Sequence, residues 1–305
     1  MYKRQAYIAI ASSVGTVYLN IVKLDKTIEL QEEIVAARQN IYDLMVLSNR
    51  EGLTSTADTV KANKALVKGQ TDLIELKKQR ETLLHQFCVL IGESPENAAE
   101  IKRASLDSLK FDREIPEAIS SDIIVQRPDY LKAELMVEKA GIDVRVAKKE
   151  FLPSINLTGL AFFNAGDIGS LFTTKNMLMS LAGGAFLPLF TGGARIASLR
   201  LKKATYERIL QDYYKTNLTA IQEVNDALVV SKMDKTKMEQ TLKQANLEKA
   251  DYSYNEDKFN QGTISKLDLL QFKENLLAID QLVAQQKVEC MVNSVGLYKA
   301  TASKI

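Results

Sequence analysis

The sequence predicts a mainly α-helical fold with one β-hairpin: two long antiparallel helical hairpins that repeat one another, with the strands between them. Three observations carry this. From Ala194 to Gln261 there is neither Gly nor Pro. One ungapped offset of 210 residues pairs Val14 with Val224, Tyr42 with Tyr252, Leu66 with Leu276 and Lys77 with Lys287. Between Ser154 and Phe190 the helical period gives way to a period of two.

Residues 1–91 form the first helical hairpin. A helix runs to Arg50, turns at Gly52 and returns to about Ile91. Gly52-Leu53-Thr54-Ser55-Thr56-Ala57-Asp58 has its counterpart in Gly262-Thr263-Ile264-Ser265-Lys266-Leu267-Asp268. A glycine between two helical patterns supplies the positive φ that ends one helix and folds the chain back. Residues 92–126 are a connector of mixed character, carrying Pro95 and Pro116. Residues 127–151 are a helix opening on Pro128, which suits the first helical position, and stopping before Pro153.

Residues 152–190 read as a long β-hairpin. Ser154, Asn156 and Thr158 alternate with Ile155, Leu157 and Gly159, and Phe162 and Phe163 follow. A turn region centres on Gly166-Asp167-Ile168-Gly169-Ser170, and Met177 to Phe190 returns as an apolar, small-residue run. The alternation fits a transmembrane barrel. It equally fits a soluble hairpin packed on a helix, and the pattern alone leaves both open.

Residues 191–305 are the second helical hairpin, turning at Gly262. Leu210, Tyr214, Asn217, Ile221, Val224 and Leu228 step by fours and threes as a heptad seam. Leu269, Phe272, Leu276, Ile279, Val283, Gln286 and Cys290 resume it after the turn. At 1.5 Å per residue the first arm is about 100 Å long, more than a compact globule needs.

Composition narrows the function. The 305 residues carry 40 Lys+Arg against 38 Asp+Glu, a net charge of +2. That balance argues against a nucleic-acid partner, which calls for a basic face or tail. A hydrophobic fraction of 46% is enough for a core, which excludes wholesale disorder. Mean hydropathy is −0.12, and no uninterrupted apolar run reaches the roughly 18 residues of a transmembrane helix. Five prolines and no tryptophan point away from a loop-rich or sandwich fold. Cys88 and Cys290 have no metal-ligand spacing and make no disulfide framework. With one histidine, no nucleophile–base pair, metal cluster or cofactor loop can be assembled, so no enzyme, metal or cofactor is expected. Gly192-Gly193 lacks the Gly-Lys-Ser/Thr of a phosphate loop.

Several blocks together resemble one family. Gln126-Arg127-Pro128-Asp129, Phe151 to Gly159 (FLPSINLTG) and Pro188-Leu189-Phe190-Thr191-Gly192-Gly193 stand in the order and spacing of the outer-membrane efflux proteins, the TolC-like channels. The turn from Gly262 to Asp268 and the ending Leu297-Tyr298-Lys299-Ala300 are similar to that family too, closest to its lipoprotein-type members. The resemblance implies a homotrimer, with strands from each copy closing one transmembrane barrel of about twelve strands. It implies a periplasmic α-barrel of the long helices. It also implies partners: a periplasmic adaptor, an inner-membrane pump and outer-membrane lipid. The function it implies is a passive export duct of a tripartite efflux or secretion system, spanning outer membrane and periplasm. The alternative is a coiled-coil periplasmic adaptor or scaffold without a pore.

The repeat and the resemblance together set a further expectation. Carried back by the same offset, the counterparts of the helix and strands at 128–190 fall before Met1. A helix, a β-hairpin, any signal peptide and any lipid-anchored Cys are expected upstream, so this stretch supplies half of its strands and is not expected to close the native barrel alone.

The candidate site residues lie at the turns. Asp58 and Asp268 occupy equivalent positions and, by resemblance, approach the channel aperture, where a ring of carboxylates focuses cations. Ser55-Thr56-Ala57-Asp58 and Ser265-Lys266-Leu267-Asp268 also each read as a capping box, and the two roles are compatible. Gln271 stands where some relatives carry a second acid. Gly52, Leu53, Thr54, Gly262, Thr263, Ile264 and Ser265 form the tip, exposed and, by resemblance, the place where the adaptor docks. Phe162, Phe163 and Phe172 suit either an interfacial girdle or a core. Met177 and Met179 suit an apolar surface rather than a soft metal, and His85 a packed or surface position.

Overall fold

The computed structural model describes residues 2–109, 122–164, 166–170, 172–174, 177–187 and 191–301. The helices are α1 (Tyr2–Arg50), α2 (Thr56–Ile91), α3 (Asp122–Val125), α4 (Pro128–Lys149), α5 (Ala194–Asn260) and α6 (Lys266–Ala300), with strands β1 (Ser154–Phe163) and β2 (Met177–Phe186). Two short 3-10 turns, Pro95–Glu100 and Leu106–Ser108, lie in the connector. Pro116 and the remainder of 110–121, and the motif residues Pro188, Leu189 and Phe190, lie outside the described residues.

The chain divides into two compact units, each described by itself: Met1–Pro128 with Thr219–Ile305, and Asp129–Leu218. In the first, α1 lies between α2 and α6 and runs antiparallel to both. Val17 and Ile21 pack with Leu84, Phe87 and Cys88 of α2, and Ala98 of the connector closes that cluster. Val22 packs with Ala284 and Val288 of α6 and Leu106 of the connector. Leu30 and Ile34 meet Leu277. α5 joins the outer side of α6, where Lys237 pairs with Glu289 at 3.0 Å and Asn293 donates to Asp234 at 2.6 Å.

Two expectations are corrected here. The sequence shows no run of membrane-span character, yet α1 holds an 18-residue window apolar enough to pass that test by length and composition. From Val14 onward the physical reason lies in packing: α1 is covered on two sides there and carries two apolar faces instead of one stripe, while Tyr7 and Ile10 ahead of it are 69% and 53% exposed. The heptad seam is also incomplete. Val224 is buried, but Tyr214 and Ile221 are 49% and 38% exposed. On α6 the predicted seam is buried to half-buried, and a second buried set, Leu277, Ala284, Val288 and Met291, faces elsewhere. The helix has two neighbours and therefore two buried seams.

The connector is tied down rather than loose. Ala104 N–H donates to the Tyr18 hydroxyl at 3.0 Å, Lys287 donates to the Leu106 carbonyl at 2.8 Å, and Arg103 meets Asp25 at 2.6 Å. Arg127, 7% exposed, donates to the Ala300 carbonyl at 2.7 Å and to Glu223 at 2.6 Å. It thus fixes the end of α6 and one side of α5 just before Pro128.

In the second unit, α4 lies antiparallel to the first part of α5. The Tyr130 and Tyr213 hydroxyls are 2.7 Å apart, Gly141 faces the Tyr206 ring, and Lys202 approaches Asp143 at 3.8 Å. Between these helices β1 and β2 pair antiparallel from Ser154↔Phe186 to Phe163↔Met177.

Candidate functional site

The two turns are conformational copies. At Gly52, φ +73°, the glycine N–H donates to Asn49 at 3.0 Å and Leu53 N–H to Ser48 at 2.8 Å. At Gly262, φ +73°, the matching bonds run to Phe259 at 2.9 Å and from Thr263 to Lys258 at 2.9 Å. Both are Schellman motifs, in which a left-handed residue lets two N–H groups satisfy the helix's last carbonyls. Each following helix opens on a complete capping box. The Asp58 and Asp268 N–H groups each donate at 3.1 Å to the hydroxyl of Ser55 and Ser265, and each carboxylate sits 2.7 Å from that hydroxyl. Asp58 and Asp268 are exposed. Their carboxylates face the positive helix end and remain at the surface of the turn.

The tip residues are not uniformly exposed. Leu53 is 79% exposed, and Thr263 and Ser265 are exposed, but Thr54 and Ile264 are half-buried. Thr54 folds back: its carbonyl accepts from Asn49 at 2.8 Å and its hydroxyl reaches the Met45 carbonyl at 3.5 Å.

Packing brings the two tips level. Arg38 of α1 forms an ion pair with Glu274 of α6, with Nε donating to Oε1 at 2.8 Å, and its guanidinium also donates to the Ala65 carbonyl of α2 at 3.1 Å. Counted from there, α1 runs on to Gly52 and α6 runs back to Gly262 over similar lengths, so both turns stand at one end of their unit. The spacing of the sequence held no sign of this clamp, whose partners are 236 residues apart. Arg127 was legible only as part of a motif, and its ties to Ala300 and Glu223 emerge from packing.

The β-hairpin has a distinct surface. Every residue of β1 and β2 is exposed. Register and alternation place Ile155, Leu157, Gly159, Ala161 and Phe163 on one face with Met177, Met179, Leu181, Gly183 and Ala185. That face carries no polar side chain. The other begins with Ser154, Asn156 and Thr158 and becomes apolar at Leu160, Phe162 and Leu178. Phe163 and Phe172 meet edge-to-face, centroids 5.4 Å apart, at the turn end. Among the described residues the sheet has two strands, so each has an outer edge of backbone groups with no ladder partner there. His85 is exposed on α2; Cys88 is buried, Cys290 half-buried, and both are free.

The model of the family described as outer membrane efflux protein matches residues 119–303, more than half of the chain. The chain belongs to the outer membrane efflux protein family. It is 29% identical over 302 residues to the probable efflux pump outer membrane protein TtgC of Pseudomonas putida, covering 98% of this chain and 61% of TtgC. It is 26% identical over 310 residues to the cation efflux system protein CusC of Escherichia coli K12, covering 98% of this chain and 65% of CusC. The chain therefore spans about three-fifths of the length of these relatives. Two solved structures share the fold. The CmeC outer membrane channel of Campylobacter jejuni superimposes with a TM-score of 0.82 at 23% identity, covering 98% of this chain and 64% of CmeC. VceC of Vibrio cholerae gives 0.80 at 19% identity, covering 98% and 71%.

Proposed function

We propose that this member of the outer membrane efflux family forms part of a passive export duct through the outer membrane and periplasm. One observation carries the reading: a β-hairpin exposed on every strand residue, wholly apolar on one face and, among the described residues, unpaired on both edges. A coiled-coil scaffold has no use for such strands. Lipid accepts the apolar face, but only closure into a barrel satisfies the edges, so strands from several copies must complete it. A homotrimer with about twelve strands leaves a lumen, and Phe162, Phe163 and Phe172 suit a girdle at one interface.

In this reading the chain is organised as a first helical hairpin (1–91), a connector (92–126), a helix (127–151), a membrane hairpin (152–190) and a second helical hairpin (191–305). The tip at Gly52, Leu53, Thr54, Gly262, Thr263, Ile264 and Ser265 receives a periplasmic adaptor, which links the duct to an inner-membrane pump. Asp58 and Asp268 line the aperture while capping their helices. The duct catalyses no reaction, and transport energy comes from the pump. TtgC is named for an efflux pump and CusC for cation efflux, which supports export as the shared task.

Planar-bilayer conductance of the full-length protein purified from outer membrane tests this. Discrete pores that widen in Asp268→Ala are expected. A folded, membrane-inserted oligomer that never conducts, with adaptor present or absent, would sink the reading.

A further inference from the structure

One apolar stripe is filled in one repeat and bare in the other. On α6, Leu277 and Ala284 are each 5% exposed because they pack against α1. Their equivalents on α2, Val67 and Ile74, are 52% and 69% exposed, and Val60, seven residues before Val67, is 50% exposed. A shallow groove bounded by Val60, Lys64, Val67 and Thr71 follows this stripe. The offset that relates these positions holds in three dimensions as well as in sequence. Both turns and both capping boxes coincide, and α5 ends at Asn260 where α1 ends at Arg50. The helices within each hairpin also share one register: Lys237–Glu289 falls at the positions of Thr27 and Gln79, between the Asp25–Arg80 and Glu32–Lys77 pairs of the first hairpin.

The helix that covers the α6 stripe is α1, and the repeat equivalent of α1 is α5. Within the chain, α2 and α5 stand at opposite ends of the row α2, α1, α6, α5, so the α5 that fits the bare stripe belongs to another copy. Carrying the α1–α6 register onto that junction turns Arg38–Glu274 into Glu248–Lys64. The pair is again of opposite sign, but the charges are exchanged between the helices. Among the described residues neither Lys64 nor Glu248 has an ion-pair partner within the chain.

We propose that Lys64 of α2 pairs with Glu248 of α5 in a second copy of this chain, and that the exchanged charges key the two junctions apart. A wrong docking of α1 on a neighbour's α2 sets Arg38 against Lys64. A wrong docking of α6 on a neighbour's α5 sets Glu274 against Glu248. Each is a like-charge contact, which is costly at an interface and excludes the wrong partner. The equivalents of Leu30 and Ile34 on α5 are Gln240 and Gln244. The junction between copies is therefore more polar than the one within a chain. It is also head-to-tail, the type of contact that closes into a ring.

The inference rests on the oligomeric duct proposed above and is tested without requiring conduction. Wild type and the double variant Lys64→Glu/Glu248→Lys are expressed together with different affinity tags and extracted from the membrane as oligomers. Either single variant should lower the oligomer yield by about tenfold. The double variant re-forms the pair but gives both junctions one charge order, so it should recover only in part, and adding Arg38→Glu/Glu274→Arg, which exchanges the charges again, should recover the rest. The double variant and wild type should self-sort, with mixed oligomers about tenfold below random mixing, because each cross-junction brings like charges together. Single variants that assemble normally, a double variant that recovers fully, a quadruple variant that recovers no further than the double, or free mixing would each overturn the proposal. Free mixing with intact conductance removes the key and leaves the duct standing. Self-sorting without conductance keeps the key and removes the duct.

Discussion

The two helical hairpins are copies at their ends and opposites in their interiors. The first packs Ile21, Leu83 and Leu84 between its helices, and Leu24 is buried. At the equivalents of Ile21, Leu24, Leu76 and Leu83 the second carries Ser231, Asp234, Gln286 and Asn293. Ser231, Asp234 and Gln286 are 3%, 8% and 1% exposed, and Asn293 donates to Asp234. Cys290 reaches toward the Asp234 carbonyl at 3.7 Å, and burial pushes its thiol up. The Ser231 hydroxyl, buried in the same layer, has no hydrogen-bond partner among the described residues. The comparison separates two jobs. Local chemistry at the turn specifies where each helix stops and starts, whereas the interior layer sets how tightly the arms hold together. The second hairpin has exchanged apolar adhesion for a polar layer that favours one register.

Four outcomes break or sharpen this comparison. Leu84→Ala or Ile21→Ala empties a packed apolar site and should cost about 2–5 kcal/mol, read as a lowered unfolding midpoint by circular dichroism. A loss no larger than that of Ser231→Ala would erase the contrast. Asp234→Ala should cost about 1–3 kcal/mol by leaving the Asn293 amide unpaired. Asp234→Leu with Asn293→Leu instead installs the first hairpin's residues and should match or exceed the parent's stability, at some loss of a unique register. Ser55→Ala and Ser265→Ala should each cost about 1 kcal/mol, equally, because the two capping boxes share one geometry. A marked inequality would mean that the tips differ in a way their backbone does not show.

The smallest effect is a pH dependence. Burial raises the Asp280 carboxyl above the usual carboxylate range; Lys26 and Lys249 draw it down and Glu33 pushes it up. A carboxyl raised on folding stabilises fully below its unfolded value, and that contribution is lost as pH rises through its folded value. Asp280→Asn should therefore flatten the fall in stability from acidic to neutral pH. An unchanged slope would assign the dependence to other groups.

Much of this was legible from the residues. The turns at Gly52 and Gly262 and the boxes that follow are encoded within a few neighbouring residues, and so was the alternation of Ser154 to Phe163. Other features were not. The second apolar face of α6 and the exposure of Tyr214 and Ile221 depend on which helix lies alongside, and the half-burial of Thr54 on how the turn folds back onto Asn49 and Met45. The clamp of Arg38 on Glu274 and the anchoring of Arg127 on Ala300 join residues that the chain separates by 236 and 173 positions.

The sequence by itself determined the repeat, the helix ends, the strand alternation and the family, because each depends on short-range backbone chemistry or on residue order. Only the tertiary structure decided that α1 is covered on two sides, that both tips stand level, and that the stripe on α2 is left bare while its copy on α6 is filled. Burial is a property of neighbours, and two repeats of one pattern acquire different surroundings once the chain has folded.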